Sequence, residues 1–161
     1  MISLRDSIEI RATPGRIFEW LGRMPQEYTS WHPDHVACRV GKGSMLEVGS
    51  IVECEEYLHG KLHSMRFRTT KVDLDKRVEF GIIGMGRGAF DVKPVGEKVL
   101  FTAELDIGTE VPVVGSLVDF VFIKFFSQRL EAMREHMKEE GHNLKEILET
   151  DLATGAGHEA A

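Results

Sequence analysis

GSLVDFVFIKFFSQRLEAMREHMKEE, residues Gly115 to Glu140, repeats its apolar side chains at the period of an α-helix. At about 100° per residue, Val118, Phe122, Phe125, Phe126, Ala132, Met133 and Met137 share one side, and that side is expected to lie on a core. His136 and Glu140 fall on the same side, one helical turn apart, so their side chains stand one above the other near the middle of the apolar stripe. An imidazole and a carboxylate in this relation can grip one divalent metal, since both are ordinary zinc donors. A solvated His and Glu at the polar end of an amphipathic helix would show the same spacing.

Upstream of this helix the chain alternates and turns, the pattern of an antiparallel sheet. Strands are expected over residues 3–11, 36–40, 51–58, 61–72, 77–83, 89–95 and 98–107. His59-Gly60 reads as a two-residue hairpin turn. With Leu58 opposite Lys61, Glu56 then opposes His63, Cys54 opposes Met65 and Val52 opposes Phe67. Val52, Met65 and Phe67 have the character of an inner face, so Glu56 and His63 are predicted to point inward together. GMGRG at residues 84–88 has neither the spacing nor the following helix of a nucleotide-binding loop and reads as a hairpin connection.

At the N-terminal side, Thr13-Pro14 is a helix start, with Thr as cap and Pro as first helical residue. A short helix carrying Ile17, Phe18 and Leu21 is expected to end near Gly22, and Pro25 to open a second short helix through Tyr28. The polar-aromatic cluster YTSWHPDH, residues 28–35, follows as a loop. After Gly141 the long helix is expected to break, with Asn143 capping a short piece through Glu149. Residues 1–150 read as a single domain and 151–161 as a mobile tail.

Composition narrows the function classes. Across 161 residues, 20 Lys and Arg are interleaved with 26 Asp and Glu for a net charge of −6, so no basic stripe exists for a nucleic-acid partner. The first ten residues carry Arg5, Asp6 and Glu9 where a secretion signal needs an apolar run, which points to a cytoplasmic protein. Asp119 and Lys124 interrupt the greasiest segment, residues 111–126, which is too short to span a membrane. Cys38 and Cys54 are expected as reduced thiols, with Cys54 buried on the inner face.

One strand, two short helices, a run of antiparallel strands and a long C-terminal helix resemble the helix-grip fold of the START, polyketide-cyclase and Bet v 1-like superfamily. The opening ATPGRIFEWL is similar to the entry into that superfamily's first helix, over a match of about residues 3–141. The resemblance implies an α+β protein whose seven-stranded antiparallel sheet wraps the long helix and leaves a cavity between them. WHPDH at 31–35, EEYLHGKLH at 55–63 and HMKEEGHNLK at 136–145 also resemble the 2,4-diacetylphloroglucinol hydrolases, zinc enzymes on the same fold that cleave a carbon–carbon bond between an acyl group and a phenolic ring. Carried over by position, this implies zinc ligands His32, Glu56, His136 and Glu140, with His35 as the alternative to His32 or as a catalytic residue of the substrate pocket. Tyr28 is a candidate substrate contact, and Arg129, close to the helix face two turns before His136, reads as a snorkelling side chain at the sheet edge or as a substrate-anion contact. His63, beside Glu56, is an acid–base candidate or a core histidine.

Two functions follow as expectations. One is a zinc-dependent hydrolase of a small aromatic ketone or acylated phenol. The other is a metal-free cavity protein binding a lipid, polyketide or other hydrophobic molecule. Convergence of three distant segments on one inner face favours the hydrolase, because buried ionisable groups are costly unless paired or ligated. The expected partner is a small hydrophobic or aromatic ligand, with no nucleic acid and no membrane, and a homodimer is the candidate assembly.

Overall fold

The computed structural model describes the backbone of residues 1–108 and 115–155 and the side chains of residues 1–108 and 130–154. Strand β1 (Ile2–Ile10) leads into helix α1 (Pro14–Trp31), followed by β2 (His35–Val40), β3 (Ile51–Leu58), β4 (Lys61–Asp73), β5 (Arg77–Ile82), β6 (Gly86–Val95), β7 (Lys98–Ile107) and helix α2 (Gly115–Gly155). The strands form one antiparallel sheet in the order β1-β7-β6-β5-β4-β3-β2. α1 and α2 both pack on it, which is the helix-grip architecture.

The β3–β4 hairpin has the expected register: Leu58 opposes Lys61, Glu56 opposes His63, Cys54 opposes Met65 and Val52 opposes Phe67. His59 and Gly60 adopt φ of 53° and 70°, the left-handed pair of a type I′ turn that matches strand twist. In GMGRG, a side chain at Gly86 would meet the Asp106 carbonyl oxygen at 1.9 Å, and Gly86 itself has φ 152°. A Cβ at Gly88 would sit 2.5 Å from the Phe80 ring. These glycines let β6 lie close against its neighbours, as a hairpin connection rather than a ligand loop.

Two expectations are corrected. The pair of short N-terminal helices is a single helix, with Pro25 inside it. Proline removes one hydrogen bond and costs about 3 kcal/mol in a helix interior, but the buried residues Ile17, Leu21, Met24, Tyr28 and Trp31 run as one stripe on both sides of it. Each such burial contributes roughly 1.5–3 kcal/mol, so the stripe outweighs the proline. The helix ends where Pro33 forces the preceding His32 into extended backbone (φ −145°, ψ 141°).

Likewise, α2 does not break at Gly141 but continues to Gly155, so residues 151–155 are helical. Gly141 is a contact rather than a cap: a Cβ there would stand 3.3 Å from Asp6 Oδ2 and 3.6 Å from Ile8. The missing side chain lets α2 lie directly on β1. Beyond it, Leu144 (0% exposed) and Leu148 (2%) are locked in the core. Val118, Phe122, Phe125, Phe126 and Arg129 lie outside the described side chains. Leu144→Ala should lower stability by about 2–5 kcal/mol in urea unfolding, whereas a loss below about 0.5 kcal/mol would mean that this part of α2 is not docked.

Candidate functional site

Between the concave face of the sheet and the helices lies a cavity of about 130 Å³. Its walls are apolar. Of the chain's 7 methionines every one but Met1 lines it, together with Phe67, Phe80 and Phe90. At one end this apolar lining gives way to Tyr28, Glu56, His136 and Glu140.

Four elements build that polar end. α1 supplies Tyr28, the start of β2 supplies His35, β3 supplies Glu56, and α2 supplies His136 and Glu140. His35 is completely covered at its side chain, and its Nε2 lies 3.0 Å from Glu140 Oε1, 3.2 Å from His136 Nε2 and 3.6 Å from Glu56 Oε2. His136 Nε2 is 3.6 Å from the same Glu56 oxygen and 3.7 Å from the same Glu140 oxygen. Ligand atoms placed 2.0–2.1 Å from the centre of a tetrahedron stand about 3.3–3.4 Å apart. Five edges of 3.0–3.7 Å bracket that spacing, so these two imidazoles and two carboxylates can hold one divalent metal.

The neighbours of the four donors orient them. His35 Nδ1 donates to the Tyr28 carbonyl oxygen at 2.8 Å, which turns Nε2 toward the other three side chains. The Tyr28 ring stacks on the His35 ring at 3.8 Å and 5°, fixing its plane. The Tyr28 hydroxyl donates to Glu56 Oε2 at 2.9 Å. Burial, then the Glu56 charge, push the Tyr28 phenol far up, so it stays protonated and can only serve as a donor to an anion.

Of the residues singled out in the sequence, the structure brings Glu56, His136, Glu140, His35 and Tyr28 together. His32 stands beside them but takes no part in the four-donor set: its Nδ1 accepts the Asp34 N–H at 3.0 Å, leaving Nε2–H to donate to Glu139 Oε2 at 2.8 Å. The reason is local geometry. His32 closes α1, where its buried ring packs against His136 and its Nε2 is taken by Glu139, whereas the turn at Pro33-Asp34 carries His35 to Glu56 and Glu140. One nitrogen each of His32, His35 and His136 still lie within 4.8 Å of one another. His63 sits half-buried on the inward face opposite Glu56 but belongs to neither donor group among the described residues. Arg129 lies outside the described side chains.

The electrostatics show what the buried carboxylates require. For Glu56, burial acts to raise the pKa, but the contact with His136, the Tyr28 hydroxyl and the charge of His35 together hold it below its ordinary value of 4.5. For His136, burial acts to lower the pKa, yet Glu56 and Glu140 hold it above 6.5. Without a metal, a proton on His136 therefore supplies the positive charge. The folded-state pKa of Glu56 is depressed, so its contribution is present above 4.5 and is lost as pH falls through the lower folded value. That of His136 is raised, so its contribution is present below 6.5 and is lost as pH rises through the higher folded value. In chelator-treated protein, stability from this pair should be greatest between those limits. His136→Gln should flatten the decline in urea midpoints that sets in as pH rises past 6.5. An unchanged decline in the variant would remove His136 as its source.

A curved antiparallel sheet closed by a long C-terminal helix over an apolar cavity defines a helix-grip cavity protein. The chain belongs to the family of polyketide cyclases/dehydrases and lipid transport proteins, whose model matches residues 1–141. TTHA0849 from Thermus thermophilus has the same fold at 16% identity, with a TM-score of 0.70 over 93% of this chain and 99% of that one. A START superfamily protein from Mycobacterium smegmatis is similar at 14% identity and TM-score 0.65, over 92% of this chain and 97% of that one. The Aha1 dimer from Colwellia psychrerythraea is similar at 18% identity and TM-score 0.61, over 92% and 96%. No curated protein matches the chain significantly. No helix among the described residues is long and apolar enough to cross a membrane.

Proposed function

We propose that this chain binds a small, largely apolar molecule with one oxygen-bearing end. The observation that carries this reading is the cavity itself, with largely apolar walls and, among the described residues, one buried group of ionisable side chains at one end. Its volume of about 130 Å³ is near that of the roughly 150 Å³ cavity that accommodates benzene. One aromatic ring fits this space, and a diacyl lipid does not. Methionine walls adapt to the outline of a ring and make favourable sulfur–aromatic contacts. The family's description, polyketide cyclase/dehydrase and lipid transport, supports the same class of ligand.

A second reading is favoured by the donor geometry: a metal-dependent hydrolase of an aryl ketone or acylated phenol. His35, Glu56, His136 and Glu140 are its proposed ligands, zinc the proposed metal. A bound divalent ion supplies Lewis-acid polarisation of a carbonyl oxygen there. The protein's own groups do the rest. The apolar walls orient the ring and exclude bulk water, and Tyr28, which lines the cavity, donates its one hydroxyl proton to Glu56 and so holds that carboxylate in place. His63 is the proposed proton carrier, lying on the same inward face across from Glu56. Breaking the bond from acyl carbon to ring needs a proton delivered to the ring carbon as water adds to the carbonyl.

Trp31 lines the cavity, so its fluorescence reports occupancy. Hydroxyacetophenone should quench wild-type protein saturably, and Met65→Trp, which fills the cavity, should abolish the effect. No saturable quenching would end the ligand-binding reading. The metal is tested separately by calorimetry with zinc. Chelated wild-type should take up one equivalent, and Glu140→Gln or His136→Ala should weaken uptake by at least about a hundredfold, more than loss of an outer partner costs. If zinc is not taken up and His136→Ala binds the ketone as well as wild-type does, the hydrolase reading falls and the metal-free one stands.

A further inference from the structure

Cys38 and Cys54 are direct cross-strand partners in the β2–β3 pair. The Gly41 N–H donates to the Ile51 carbonyl, so Gly41 and Ile51 form a hydrogen-bonded pair. Such pairs alternate along an antiparallel ladder. Arg39 with Glu53 is the next, and Cys38 with Cys54 falls at a non-hydrogen-bonded position. There the Cα atoms stand about 4.5 Å apart, inside the range of roughly 4.4–6.8 Å that a disulfide spans. As direct cross-strand partners they carry their side chains on the same face of the sheet. Access is asymmetric. Cys54 is 1% exposed, whereas half-buried Cys38 lines a surface cleft between Gly22, Pro25 and Gln26 of α1 and the edge strand β2.

We propose that Cys38 and Cys54 form a thiol–disulfide modification site that takes small aliphatic disulfides through this cleft and closes into a cross-strand bridge. The Cys38 thiolate attacks one sulfur of the small disulfide, forming a mixed disulfide and releasing one small thiolate. The Cys54 sulfur then attacks the Cys38 sulfur and expels the second small thiolate, while the Cys54 proton passes to a departing thiolate. The small disulfide is reduced to two thiols as the protein dithiol is oxidised. The bridge ties the edge strand that begins at His35 to the strand that carries Glu56. It depends on neither reading of the cavity.

The test is intact-mass analysis of the full chain in excess oxidised glutathione, followed by dithiothreitol. Wild-type should lose two hydrogens, give a peptide in which Cys38 is linked to Cys54, and regain both hydrogens on reduction. Cys54→Ala should stop at one glutathionyl group on Cys38, and Cys38→Ser should remain unmodified. Peptide mapping of wild-type stands whether or not either variant folds. A wild-type mass that does not change, or a glutathionyl adduct that persists without bridging, overturns the proposal. So does an adduct on Cys54 in folded Cys38→Ser protein.

Discussion

The contact between the end of α1 and the face of α2 sets the rest of the site. The Trp31 indole N–H donates to the Glu140 carbonyl oxygen at 2.9 Å, Asn143 donates back to the Trp31 carbonyl at 2.8 Å, and His32 holds Glu139 at 2.8 Å. Three contacts on successive parts of one helix fix both its position along the sheet and its rotation about its own axis. With that rotation set, His136 and Glu140 face the cavity, and Glu139 faces out. Gly141 contributes by absence: a Cβ there would touch Ile8 at 3.6 Å and crowd the Asp6 carboxylate at 3.3 Å, so the glycine eases the approach of α2 to β1.

The polar end of the cavity is expensive to build, and its composition reflects the cost. Two carboxylates out of water need compensating positive charge and donors, since an unpaired buried ion costs several kcal/mol. Glu56 has three such supports: the Tyr28 hydroxyl and the two imidazoles. A proton held on His136 meets part of the requirement, and a dication at the centre of the four donor atoms would neutralise both carboxylates together. The same arrangement therefore serves a metal-free ligand anchor or a metal centre.

Family membership and cavity shape agree on a class of ligand rather than a reaction. The three solved structures compared above share this chain's fold at 14–18% identity, and a helix-grip fold by itself establishes a cavity, with chemistry residing in the side chains that line it. Here those side chains divide cleanly. Methionine and phenylalanine supply an adaptable apolar volume, and among the described residues one compact group supplies the buried ionisable side chains at its polar end.

Much of this was readable from the chain alone, because periodicity and turn chemistry are local. Alternation defined the strands, His59-Gly60 fixed the hairpin register and so the inward direction of Glu56, and the 3.6-residue period put His136 and Glu140 on one side of α2. The stripe of Ile17, Leu21, Met24, Tyr28 and Trp31 also stood in the sequence as a sign of one continuous helix, but Pro25 and Gly22 are stronger local signals for a break. Only packing decides when buried area outweighs a lost hydrogen bond. Gly141 is the same case, since a glycine that ends a helix and one that admits a neighbouring strand look alike until the strand is in place. The choice between His32 and His35 lay beyond sequence for a related reason. Both belong to one five-residue segment and both are buried beside His136, and which imidazole meets Glu56 and Glu140 depends on where α1 stops, how Pro33 redirects the chain, and the capture of His32 by Glu139 from a helix more than a hundred residues away.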